Sequence, residues 1–176
     1  MKKTIALACF SFFLLGFGCK KNKTLNESQP AITSQASSYL IPAEQSDDTL
    51  LWYSKTPCFG ACPTFSFLIK MNGEVTYHGK QHVAKLGEFK GTWTKNQLVE
   101  LEEEMKKIDF YHFEKLYDDA KITDLPYMYI GYTKGNNLHK IKCRYRYPSE
   151  IKALGQWLDE KILSTTFNNI EKTEKR

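Results

Sequence analysis

Apolar and polar positions change period several times along this chain, and each change marks an element. "LLWYS" opens the patterned region. In "FSFLIK", Phe65, Phe67 and Ile69 alternate with Ser66, Leu68 and Lys70, the period of a strand with one packed face. Asn72 and Gly73 follow, and both tolerate positive φ, which predicts a tight hairpin turn into "EVTYHG". "EFKGTWT" alternates again, with Phe89, Gly91 and Trp93 on one side. The period then lengthens: Leu98, Leu101, Met105 and Ile108 recur at helical spacing, and Thr94 with Gln97 forms a capping-box pattern at the start. A second hairpin is predicted from "YMYIGYT", a "KGNN" turn and "LHKIKCRYRY". A last helix opens at Pro148-Ser149 and carries Ile151, Leu154, Leu158 and Ile162 on one stripe. Strands followed by helices, without regular βαβ alternation, predict an α+β fold. The expected architecture is a mainly antiparallel sheet, a four-strand meander plus a later β-hairpin, packed on one face by two α-helices.

Ahead of this region the pattern is different. Lys2 and Lys3 precede an uncharged apolar run from Ile5 to Phe17, then Gly16, Gly18 and Cys19. A run this short falls below the roughly 20 residues of a membrane span and reads as a secretory signal. It resembles the signal of bacterial lipoproteins, and that resemblance implies cleavage before Cys19 and acylation of its sulfur. Lys20 after the cysteine implies delivery to the outer membrane by the same likeness. The expected organisation is therefore a signal peptide over 1–18, a lipidated Cys19 with a polar tether over 19–48, one domain over 49–165, and a polar tail over 166–176. The tether is rich in Ser, Gln, Asn and Lys and has no sustained apolar period. The formal charge of +5 includes two lysines of the signal, so the remainder is too mild to indicate nucleic acid.

Extracytoplasmic placement changes how "TPCFGACPTF" is read. Cys58 and Cys62 are close enough to form a disulfide in an oxidising compartment, with Gly60 letting the loop curl. The spacing also suits a thiolate pair for Cu(I), with His78, His82, His112 or His139 as a third ligand, or a thiol redox couple. The compartment favours the disulfide, and no cofactor is expected. Cys143 alternates with Ile141 and Tyr145 and is expected buried and free.

Other positions carry less. Asp124 before Leu125-Pro126 predicts an Asx-type turn. In the second hairpin, Lys140, Lys142, Arg144 and Arg146 share one strand face, and Tyr127 and Tyr129 of the partner strand join them. Cations beside aromatic rings suit an anionic glycan, a lipid headgroup or an acidic envelope protein. No G-x-S-x-G, H-E-x-x-H or glycine-rich phosphate loop is present, so a non-enzymatic binding or scaffold role is expected.

Pro57, Cys58, Gly60, Cys62, Pro63, then Asn72-Gly73 and the later Thr123, Asp124 and Pro126 together resemble an uncharacterised domain family of bacterial envelope proteins and lipoproteins. Its pattern is P-C-x-G-x-C-P, an alternating strand, N-G and a later T-D-x-P. The resemblance implies a shared fold and brings no activity with it.

Overall fold

The computed structural model describes residues 48–169. The expected signal, Cys19 and residues 20–47 of the tether lie outside the described residues, as do 170–176. Four strands come first: β1 (Thr49–Lys55), β2 (Thr64–Lys70), β3 (Glu74–Gln81) and β4 (Gly87–Thr92). Helix α1 (Lys95–Lys107) follows, then a 3-10 turn (Phe110–His112) and the short β5 (Leu116–Tyr117). The second hairpin is β6 (Met128–Lys134) and β7 (Asn137–Cys143), followed by α2 (Ser149–Ser164) and β8 (Phe167–Asn169). These strands form one eight-stranded sheet in the order β5-β7-β6-β1-β2-β3-β4-β8.

The meander and the hairpin are thus halves of a single sheet, joined where β6 pairs antiparallel with β1. Local chemistry sets the turns. Gly73 has φ 88°, and the Asn72 side chain accepts a hydrogen bond from the Glu74 N–H at 2.9 Å. A Cβ at Gly73 would stand 2.6 Å from the Trp93 carbonyl oxygen, so glycine is needed for packing as well as for the turn. At the start of α1, Thr94 Oγ1 accepts from the Gln97 N–H and Gln97 Oε1 accepts from the Thr94 N–H. This reciprocal pair satisfies two donors that the first helical turn leaves open.

Both helices cover the same face of the sheet. Leu101 and Met105 of α1, with Ile151, Leu154, Leu158 and Ile162 of α2, join Leu51, Tyr53, Phe67, Ile69, Ile130 and Ile141 in one core. Each such aliphatic side chain contributes about 1.5–3 kcal/mol when fully buried, which is why the apolar stripes settle on this face. On the opposite face, Trp52 and Tyr129 stand side by side with ring centroids 5.6 Å apart. Trp52 lies over Gly131, where an added Cβ would come within 3.4 Å of its ring. Among the described residues no helix is long and apolar enough to cross a membrane.

Two features correct the expected sheet. It is mixed, because β5 runs parallel to β7, held by the Lys142 N–H to the Lys115 carbonyl and the Arg144 N–H to the Tyr117 carbonyl, both at 2.9 Å. It also continues past the expected domain end at 165: Trp93 Nε1 donates to Thr165 Oγ1 at 3.0 Å, and the next residues pair with β4 as β8. The segment expected to begin a polar tail therefore supplies an edge strand, and Phe167 packs its ring against Tyr77 at 5.5 Å. Pairing of two or three residues at a sheet edge is a tertiary event with no period of its own.

Candidate functional site

The connection between β1 and β2 is a small covalent ring. Cys58 and Cys62 are joined as a disulfide, with Cα atoms 5.7 Å apart. The ring is braced by a segment far away in sequence. The Phe59 N–H donates to the Asp124 carbonyl at 3.3 Å, the Thr56 N–H to the Tyr127 carbonyl at 3.0 Å, and the Tyr127 N–H to Thr56 Oγ1 at 2.8 Å. The P-C-x-G-x-C-P and T-D-x-P stretches therefore meet at one end of the sheet. Asp124 contributes its carbonyl there, while the Asx turn forms at Asp119, whose Oδ1 accepts from the Lys121 N–H at 2.9 Å. At the tip of the ring Phe59 is 95% exposed, and Leu125 is exposed on the bracing loop.

Behind the ring lies a three-residue polar knot. Lys55 Nζ donates to Asp159 Oδ2 at 2.5 Å. The buried Tyr53 hydroxyl lies 2.9 Å from Asp159 Oδ1 and 3.1 Å from the Gly155 carbonyl, either of which can accept its proton. Burial, reinforced by the Asp159 charge, holds the Tyr53 phenol well above its usual pKa. Two clefts flank the knot and share Lys55, Pro63 and Asp159. One, of about 280 Å³, is walled by Phe65, Tyr77, Val83, Leu163 and Phe167. The other, of about 340 Å³, lies under Cys62, Pro126, Tyr127, Tyr147 and Lys152. Sequence reading missed Tyr53, Lys55 and Asp159. The one local hint is that Asp159 sits beside Leu158 on the flank of the buried stripe of α2, an expensive place for an unpaired carboxylate.

The expected cationic row is only partly assembled. Lys142 Nζ lies 4.1 Å from the Tyr127 ring centroid, and the Arg144 guanidinium lies 4.4 Å from it. Arg144, however, is built into the fold: its Nε donates to Asp118 Oδ1 at 2.6 Å, its Nη2 donates to the Asp119 carbonyl at 3.0 Å, and its side chain is 9% exposed. Tyr127 also donates its hydroxyl to Asp118 Oδ2 at 2.8 Å. Partial desolvation pushes Asp118 upward, but the hydrogen bonds from Arg144, Tyr127 and the Asp119 N–H outweigh it and hold the carboxyl below its usual range. The strand ends at Cys143, so the alternation that put Arg144 and Arg146 on the face of Lys140 and Lys142 stops there. Arg146 takes φ 50°, and its guanidinium sits 5.2 Å from the Tyr145 ring. Tyr129 is buried beside Trp52, and burial pushes its phenol up to about 12.

Cys143 is buried and unbonded; its Sγ donates to the Met128 carbonyl at 3.4 Å, and burial pushes its pKa up to about 12. His139 Nε2 lies 2.9 Å from the Phe113 carbonyl, His78 lies 4.0 Å from Glu88 Oε1 across the β3–β4 pair, and His82 lines the first cleft. Among the described residues no three His, Cys, Asp or Glu side chains group as metal ligands.

These features define an α+β domain in which one sheet carries both helices on a single face and a disulfide ring at one end. Residues 49–162 match the family described as "Domain of unknown function (DUF6438)", and the chain belongs to it. No curated protein and no solved structure matches the chain.

Proposed function

We propose that this chain is a non-enzymatic binding domain of the bacterial cell envelope, tethered to the outer membrane by acyl chains on Cys19. Its disulfide-closed end makes the contact with another envelope component. One observation carries this reading: Phe59 is 95% exposed on a ring that is closed covalently and braced by Asp124. A large aromatic held in water gains free energy when a partner covers it, by about 25 cal/mol for each Å² of apolar surface removed. A ring closed by a bond has little conformational freedom left to lose on binding, which is the usual cost of using a loop for recognition. Aromatic residues, phenylalanine included, are enriched in protein interfaces relative to the rest of the surface. The N-terminal pattern of charge, apolar run, small residues and cysteine supports the lipid tether.

Photo-crosslinking in living cells tests the contact. A photoreactive phenylalanine at position 59 is expected to give a discrete light-dependent adduct that a probe at the exposed Val99 of α1 does not. Opening the ring with Cys58→Ser and Cys62→Ser is expected to weaken that adduct. Equal labelling from positions 59 and 99 would discard this end of the molecule as the contact.

A further inference from the structure

The cleft walled by α2 and the β3–β4 loop has a composition that selects a kind of ligand. Its apolar lining is Phe65, Tyr77, Val83, Ile162, Leu163 and Phe167 of β8. Tyr77 packs against Phe65 at 5.8 Å and Phe167 at 5.5 Å, so the apolar surface is continuous across three strands. The loop wall is fixed in place by Gly79, whose missing side chain admits the Lys85 carbonyl to within 1.9 Å of where a Cβ would be. Charge is distributed unevenly around this bowl. Asp159 is the one carboxylate among its described lining residues, and it already accepts from Lys55 and lies within hydrogen-bond distance of the Tyr53 hydroxyl. Lys85 is exposed and also lines the cleft, with its ammonium 4.8 Å from the Phe167 ring centroid. Apolar lining beside an exposed cation, with the one carboxylate among its described lining residues already paired, complements a molecule with an apolar body and one negative end.

We infer that this cleft is a small-molecule site for an amphipathic carboxylate of the medium-chain acyl type, its chain against Phe65, Tyr77 and Phe167 and its carboxylate at Lys85. The site is separate from the Phe59 contact, and either stands without the other.

Calorimetric titration of the full chain carrying Cys19→Ser tests it, since that change leaves the cleft intact and removes acyl chains that would compete. Hexanoate, octanoate and decanoate are expected to bind one site, with affinity rising by up to about fourfold per added methylene until the cleft is full. Decylamine is expected to bind more weakly than decanoate. Lys85→Ala should weaken decanoate by about fivefold while leaving decanol nearly unchanged. Leu163→Asp should weaken both, and Leu163 is 70% exposed, so the fold tolerates the change. Affinity independent of chain length, or decylamine binding as tightly as decanoate, would overturn the assignment. So would tighter binding of a tripeptide ending in phenylalanine with a free carboxylate, which would make the occupant a chain terminus. The chain-length series uses no cleft variant, so it decides the matter even if Lys85→Ala or Leu163→Asp folds poorly.

Discussion

Valine at position 79 is expected to destabilise the domain by about 2–3 kcal/mol and to abolish decanoate binding in the same step. Gly79 pairs with Phe65 on one side and Gly87 on the other, so its backbone is held within the sheet. A Cβ there would meet the Lys85 carbonyl oxygen at 1.9 Å and Val83 Cγ2 at 2.9 Å. The first contact is with backbone, and no side-chain rotation relieves it. The loop must therefore shift, and residues near its two ends, His82 at φ 52° and Gly87 at φ 105°, already hold positive φ. That movement carries away Val83 and Lys85, an apolar lining residue and the exposed cation of the cleft. Gly60→Ala is the matched control, because its Cβ would meet only Cys58 Sγ at 3.9 Å, an ordinary contact. Urea unfolding midpoints and decanoate titrations on the two variants check both effects. A Gly79→Val protein with unchanged midpoint and unchanged binding would contradict the packing described here.

Raising the pH through 10 is expected to unfold the protein cooperatively, before its buried phenols titrate in place. Burial pushes Tyr77 and Tyr132 up to about 12 and holds Tyr53 well above the usual tyrosine value. In the unfolded chain these groups ionise near pH 10. Between roughly pH 10 and 12 the unfolded chain therefore binds fewer protons than the folded one, and the free energy of unfolding falls as pH rises. The stabilisation is fully present below the unfolded value and is lost on the way to the folded value. Each group contributes a slope of about 1.4 kcal/mol per pH unit. Three of them acting together remove on the order of 8 kcal/mol by about pH 12, which is comparable to the 5–15 kcal/mol typical of a domain. Of the ten tyrosines, the buried ones should add a steep step in tyrosinate absorbance that coincides with the loss of far-UV circular dichroism. Smooth ionisation of all ten tyrosines near pH 10 with both helices intact would show that the buried rings are accessible in the folded state.

Wherever one short stretch determines a feature, the sequence was enough to find it. The Asn72-Gly73 turn, the Thr94–Gln97 cap and the apolar stripes of α1 and α2 all depend on neighbours within four residues, and all form as expected. The Cys58–Cys62 ring is of the same kind. Features made by distant residues were not legible. Nothing in "LYDDAK" announces that Asp118 will take up Arg144, and that ion pair is what withdraws Arg144 from the expected cationic row. The pairing of β8 with β4 joins residues 76 to 80 positions apart, with no periodic signal. The polar knot depends on Tyr53 and Lys55 in β1 and Asp159 in α2, more than a hundred positions apart. Alternation did place Tyr53 and Lys55 on one face of β1. It could not show that α2 would bring a carboxylate to them.

The central claim is that the protein works outside the reducing cytosol, held by acyl chains, with its recognition ring closed by a disulfide. Intact-mass spectrometry of protein isolated from cells in the presence of an alkylating agent tests it most directly. The expected species begins at an acylated Cys19, takes up no alkyl group at Cys58 or Cys62 until reduced, and is modified at Cys143 only once unfolded. A chain without acylation, alkylated at both Cys58 and Cys62 before any reductant is added, would contradict the account.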